Sequence, residues 1–257
     1  MTKELLQERL ESNLLQHDTI KNGILYKYCS FETLMLILKG SSLYYSSSDQ
    51  FNDPFELSTE IVKEFGDKFF VENVLKISDS QILQNYNDKS YKFHEITKNV
   101  WSELRKNIGI CCFSKSPIIT LMWSHYANKH MGVCIGFNFD AFENTDKIIQ
   151  MPVKYVDVVQ KFDYWDRFEK GTDEIFVYNW LLTKSKVWEY EEEVRRIHIK
   201  RKGIILFNIN AISEIYLGIK TTESEINLLE SLLLELNLQQ INIIKTKINY
   251  STYSIGI

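Results

Sequence analysis

Lys184-Ser-Lys-Val-Trp-Glu-Tyr-Glu-Glu-Glu-Val-Arg-Arg-Ile-His-Ile199 packs four acids into five residues (189–193) and then runs into an apolar, β-prone segment. If Val194–Ile199 is a strand, side chains alternate across it. Glu191, Glu193 and Arg195 then share one face, and Glu192, Val194 and Arg196 the other. Two carboxylates two residues apart repel, which raises one pKa. An arginine on the same face holds either a carboxylate or an anionic ligand. A buried acid pair beside a cation is what acid–base or oxocarbenium-stabilising chemistry needs. The plainer reading is a charged helix end followed by an edge strand with surface ion pairs, and the strip by itself favours it.

The rest of the chain sets the frame. With 257 residues, 44% hydrophobic and 13% aromatic, it has ample material for a core. Three prolines and no Gly/Ser-rich linker suggest one α+β domain over 1–257. Its sheet core is expected at 24–56 and 109–257, with a mainly helical insertion at 57–108. A net charge of −4 argues against a generally cationic nucleic-acid surface, although 30 Lys and Arg leave room for a local groove. Lys200-Arg-Lys202 reads as a solvated turn. Four cysteines (Cys29, Cys111, Cys112, Cys134) without CxxC spacing sit in apolar segments, as reduced core residues of a cytoplasmic protein do. The amino terminus is an amphipathic helix start over 3–16, not a signal peptide, and no apolar run approaches the roughly 20 residues of a membrane span.

Along the chain, Ile24–Cys29 predicts a strand. Ser30 caps a helix over Phe31–Leu38 that Gly40 closes, and Leu43–Ser46 predicts a second strand. The loop Ser47–Glu56 follows. Further strands are expected at Gly109–Ser114, Gly132–Phe137, Val153–Val159, Glu214–Gly218 and Ile241–Ile248. Helices are expected at Thr120–His130, near Phe176–Thr183, and where Ile226, Leu229, Leu232, Leu233 and Leu236 form an apolar stripe.

Two other stretches hold chemistry-bearing residues. Phe51-Asn-Asp-Pro-Phe-Glu56 puts an amide and a carboxylate on a proline-stiffened turn, where an Asx-turn is the structural alternative to a site. Met122–Gly132 gathers His125, His130, Trp123 and Tyr126. The histidines are five apart, which does not suit a metal pair on a helix, and Trp123 and Tyr126 read as a core-facing aromatic edge. P-loop, GxGxxG and GxSxG patterns are missing.

Leu25-Tyr-Lys-Tyr28, Phe51–Glu56, Cys112-Phe-Ser114, Met122–Gly132 and Trp188–Arg195 together resemble the DUF2971 family. The blocks follow the family's order over about Leu25 to Gly218. A more distant resemblance suggests chemistry. Leu25–Gly40 looks like the first strand and helix of NAD-dependent ADP-ribosyltransferases of the DarT toxin type, with Lys27 where those enzymes carry a histidine. Ser46 or Ser47 matches a serine at the end of the next strand, and Glu191-x-Glu193 looks like their Glu-x-Glu motif.

That resemblance implies an ADP-ribosyltransferase-like mixed sheet and NAD as substrate. The implied acceptor is nucleic acid, RNA or DNA. The implied setting is a toxin or anti-phage effector with a cognate antitoxin and no membrane partner. Glu193 would stabilise positive charge on the ribose and Glu191 would orient or deprotonate the acceptor. Arg195, Lys27 and His130 would hold the pyrophosphate, and Tyr26 or Trp123 would stack on nicotinamide. Ser46, Ser47, Asn52 and Asp53 complete the NAD-contacting set. The competing expectations are a non-catalytic nucleotide-binding module, which Lys27 favours, and a metal-independent nuclease using Glu191, Glu193 and His130.

Overall fold

The computed structural model describes residues 23–58, 62–64, 99, 102–103, 105–139, 148–158, 162–163 and 180–257. The expected amino-terminal helix, nearly all of the expected helical insertion and most of the helix expected near Phe176 lie outside them. In chain order the elements are β1 (Leu25–Cys29), α1 (Phe31–Gly40), β2 (Ser42–Tyr45), β3 (Val62–Glu64), β4 (Gly109–Ser114), α2 (Thr120–His125), β5 (Val133–Phe137), β6 (Ile149–Pro152), β7 (Lys154–Val156), β8 (Phe162–Asp163) and β9 (Thr183–Ser185). Then come β10 (Glu193–His198), β11 (Gly203–Leu206), β12 (Ile212–Leu217), α3 (Glu223–Glu235), β13 (Asn242–Lys245), β14 (Lys247–Asn249) and β15 (Ser254–Gly256).

The class is α+β. Among the described residues, seven strands form the main sheet in the order β13-β12-β5-β1-β4-β10-β6. β12 and β13 run parallel, joined across α3, and every other pairing in this sheet is antiparallel. One face carries Leu25, Phe113, Ile135, Val194 and Ile215, covered by the apolar stripes of α1 and α3 (Leu34, Ile37, Leu38; Ile226, Leu229, Leu233). The other face carries Tyr28, Cys134 and Tyr216 under Met122, Trp123 and Ala127. This two-sided burial is why the strands read as nearly continuous apolar runs.

Local chemistry fixes the helix ends. Ser30 accepts a hydrogen bond from the Thr33 amide at the start of α1. Thr222 and Glu225 form a reciprocal capping box on α3. The expected stop at Gly40 moves by one residue: α1 runs through Gly40, and Ser41 takes the left-handed conformation at φ 45°. The helix expected over Thr120–His130 ends early at His125, and Asn128, Lys129 and His130 all have positive φ (45°, 53°, 71°). Gly132 explains the tight return into β5, since a Cβ there would meet the Cys29 carbonyl oxygen at 2.2 Å. The single strand expected over Ile241–Ile248 breaks at Thr246, whose hydroxyl donates to the Leu217 carbonyl (2.6 Å).

The acidic strip resolves against the plainer reading. β10 is an inner strand between β4 and β6, and its Glu193, Arg195 and Arg196 side chains are buried. Its start also differs from the expectation. Glu191, expected to alternate with Glu193 along the strand, ends a 3-10 helix (Lys186–Glu191), Glu192 is left-handed at φ 46°, and the strand begins at Glu193, one residue before Val194.

One irregularity makes the cleft. β1 pairs with β5 along five residues but meets β4 only at Tyr26↔Ser114. The amino-terminal end of β4 pairs instead with the end of β2, through Ser46↔Ile110. β1 and β2 therefore fork away from a common strand, and the space between them opens toward the α2 face.

Candidate functional site

The fork holds a cleft of about 280 Å³, lined by Tyr26, Lys27 and Tyr28 from β1, Cys112 from β4, and Phe51, Asn52 and Glu56 from the loop after β2. Tyr126, Lys184, Glu191 and Glu193 complete its acidic wall. Each element delivers its side chain for a local reason. In β10 the period-two alternation sends Val194 to the α1–α3 core and Glu193 and Arg195 to the α2 face. The left-handed Glu192 redirects the chain so that Glu191, despite lying in a 3-10 helix, reaches the same place.

In the 51–56 loop, the Asp53 carboxylate accepts from the Phe55 amide (2.9 Å) and its carbonyl from the Glu56 amide (3.3 Å). Asp53 is thus the Asx-turn residue, and Glu56 is what the turn presents.

Three carboxylates and two cations meet there, all buried. Lys184 Nζ contacts Glu56 at 2.9 Å, Glu191 at 2.6 Å and Glu193 at 3.0 Å. Arg195 donates from Nε to Glu193 (2.7 Å), from Nη1 to the Leu181 carbonyl (2.6 Å), and from Nη2 to Glu56. Tyr126 donates its hydroxyl to Glu191 (2.7 Å) and accepts from the Asn52 amide (2.9 Å). The Glu193 amide donates to Tyr155 Oη at 2.8 Å.

Burial works against charge on Glu193, but Arg195 and Lys184 overcome it and hold its carboxyl down at about 2. Glu56 goes the other way: burial, then the Glu193 charge, raise it above the ordinary value despite Arg195 and Lys184. Lys184 stays protonated because Glu193, Glu56 and Glu191 outweigh its desolvation. The Cys112 thiol is pushed well up by burial and by Glu193, so it is not a nucleophile at neutral pH. Chemically, the wall offers fixed negative charge beside aromatic surface, an arrangement suited to a planar or developing cation.

The sequence-predicted residues divide. Tyr26, Lys27, Ser46, Asn52, Glu191 and Glu193 line the cleft. Lys27, however, spends its ammonium on the Cys112 carbonyl (3.3 Å), bridging the gap where β1 and β4 part. Arg195 is 0% exposed and fully engaged, so it supports the carboxylates and is not at hand for a pyrophosphate. Trp123 is also 0% exposed, with its indole N–H on the Pro117 carbonyl and its ring edge-on to Tyr28, in the core rather than the cleft.

Ser47 is buried and accepts from Lys202 Nζ (3.4 Å). Asp53 stays in its turn. His130 lies outside the cleft lining, its carbonyl accepting from the Lys220 amide (3.1 Å) and its ring charge disfavoured by burial and by Lys220.

Lys184, Glu56 and Tyr126 were missed as site residues. Lys184 opens the acidic strip and Glu56 closes the proline turn. Tyr126 read as core because it is three residues from Trp123, yet the helix ends between them. A lysine seven residues before a Glu-x-Glu was a usable signal, since a buried acid pair requires a counter-charge.

Among the described residues, no helix is long and apolar enough to cross a membrane. No curated protein and no solved structure matches the chain. The family model DUF2971, whose description is "Protein of unknown function", matches residues 122–196, which hold the Met122–Gly132 and Trp188–Arg195 blocks but not the three blocks upstream. The match runs from within α2 to the strand bearing Glu193 and Arg195.

Proposed function

We propose that this protein transfers ADP-ribose from NAD to an acceptor, with nucleic acid as the acceptor class and an antitoxin as the partner that would restrain it. The observation that carries the reading is Glu191 and Glu193 side by side on the wall of an aromatic cleft, with Glu193 kept ionised in a buried setting. A forked mixed sheet with its cleft between the first strand and its neighbour supports an ADP-ribosyltransferase-type arrangement.

In the reaction, nicotinamide leaves with the electron pair of the glycosidic bond, and positive charge develops on the ribose. Glu193, fixed by Lys184 and Arg195, stabilises that charge without reorganising. The acceptor oxygen or nitrogen attacks the anomeric carbon as its proton passes to Glu191. Tyr126 and Asn52 hold Glu191 toward the cleft. Tyr26 and Phe51 provide ring surface for nicotinamide. At about 280 Å³ the cleft suits the nicotinamide riboside end, with the remainder of the dinucleotide lying along the rim.

Incubation with NAD labelled in the adenylate half, with total RNA, DNA and protein as acceptors, tests this. Label on one acceptor class, lost in Glu193→Gln, is the expected result. A folded protein, freed of any partner, that neither labels an acceptor nor releases nicotinamide overturns it.

A second reading rests on a specific observation: Lys184 and Arg195 already engage all three carboxylates. A saturated cluster suits a module that binds a nucleotide and does not turn it over. NAD binding by calorimetry without nicotinamide release singles it out.

A further inference from the structure

Beside the cleft lies a basic corner with unsatisfied polar atoms. Ser46 and Gln50 line the cleft, and between them lies the turn Ser47–Gln50. Lys202 reaches this turn from the β10–β11 connection, with Nζ 3.4 Å from Ser47 Oγ. Its backbone is pressed against Gly109 at the start of β4, where a Cβ would meet Lys202 Cα at 2.9 Å. Arg105, just before β4, donates from Nη1 to the Leu57 carbonyl (3.2 Å) at the far end of the same loop. Both cations act on Asp49, the acid of the turn, and help hold its carboxyl below the ordinary value, after its hydrogen bonds to Ser47 and to its own amide.

Three buried side-chain polar atoms lack a hydrogen-bond partner among the described residues, and two of them, Ser48 Oγ and Arg105 Nε, belong to this corner. An unsatisfied buried donor costs about 1–3 kcal/mol, so two at one corner call for a ligand. Two cations against one exposed acid leave the corner positive, while the acidic wall carries three carboxylates against two cations.

We infer that Arg105, Lys202 and the Ser47–Ser48 hydroxyls form a phosphate-binding subsite at the rim of the cleft. Its chemistry is that of a phosphate ester or diphosphate, bound by charge-assisted hydrogen bonds from a guanidinium and an ammonium. The subsite itself rests on the rim's charge and donors. Assigning its phosphate to the dinucleotide, instead of to the acceptor backbone, rests on the transferase reading. Under that reading the cleft is bipolar, with the ribose cation forming at Glu193 and the diphosphate anchored at Arg105 and Lys202. Of the cations that the sequence suggested, Arg195 and Lys27 are committed elsewhere and His130 lies outside the cleft lining.

Calorimetric titration of the full chain with inorganic pyrophosphate, with NAD and with a short single-stranded oligonucleotide separates the outcomes. The variants are Lys202→Gln, Arg105→Gln and, as a control on the acidic wall, Glu193→Gln. Lys202 is exposed, so its variant keeps the fold even if Arg105→Gln does not. Pyrophosphate is expected to bind wild type and Glu193→Gln alike and to lose at least about tenfold in affinity in Lys202→Gln, equivalent to about 1.4 kcal/mol.

Parallel loss of NAD affinity assigns the phosphate to the dinucleotide. Loss of oligonucleotide binding in the same variants, with NAD not binding at all, keeps the subsite, assigns it to a nucleic-acid backbone and overturns the transferase reading. No binding of pyrophosphate or of oligonucleotide phosphates, or binding equal in wild type and Lys202→Gln, overturns the subsite.

Discussion

Glu193 is the residue on which the proposed chemistry and the stability of the buried cluster both turn. Glu193→Gln is expected to lower turnover by about 10²–10³, the scale for removing a preorganised electrostatic group. Single-turnover nicotinamide release measures it, and an unchanged rate would remove Glu193 from the mechanism. The same carboxyl sits at about 2 in the folded chain against 4.5 for a free glutamate. Its pairing therefore adds stability above pH 4.5 that is lost as the pH falls through about 2. Glu56, with a raised value, contributes with the opposite sign. The Tm gap between wild type and Glu193→Gln should accordingly narrow from pH 5 to pH 2, and a constant gap would mean the carboxylate is not held ionised.

Lys184 balances three acids, so Lys184→Met leaves them one cation and should cost about 3–5 kcal/mol in urea unfolding. A cost under about 1 kcal/mol would show that solvent reaches the cluster.

At the scale of elements, the informative features are where the backbone departs from regularity. α1 ends on a left-handed Ser41, a conformation that glycine adopts without a Cβ penalty. Ser41→Gly should raise stability by about 0.5–1 kcal/mol, read as a higher urea midpoint at unchanged slope. Gly132 is the converse case. Its neighbours are backbone atoms of β1 and of the turn after α2, which cannot yield as a side-chain tip does. Gly132→Ala should cost about 1–3 kcal/mol and displace Tyr126, whose hydroxyl holds Glu191. Normal stability in that variant would mean that the turn has another way into β5. These two glycine changes move stability in opposite directions because one relieves a positive φ and the other fills an occupied space.

For the whole molecule, the fork between β1 and β2 sets what can bind. A ligand seated there bridges β1, β4, β10 and the 51–56 loop, so it must raise global stability by mass action. NAD at 100 times its Kd should add about 2.7 kcal/mol, seen as a Tm increase that grows with concentration. Nicotinamide alone, which under the proposed function reaches only the Tyr26 and Phe51 rings, should add less, and equal shifts from both would locate all binding at those rings.

The sequence alone carried the α+β class, most strand positions, the helices of α1 and α3, and the placing of Glu193 and Arg195 on one face of a strand. These are local consequences of period and capping, which a residue's near neighbours in the chain dictate. It also singled out Glu191, Asn52 and Tyr26 as residues of one site. Tertiary structure decided the rest. Lys184 is brought to Glu56 across more than a hundred residues of chain, and which cation balances a buried acid depends on contacts that no spacing encodes. Arg195 became a support because β10 is an inner strand, and Trp123 because its side of α2 packs on the sheet; both are long-range properties. The cleft itself arises because β1 and β2 compete for one edge of β4, and that competition exists only once the sheet is assembled.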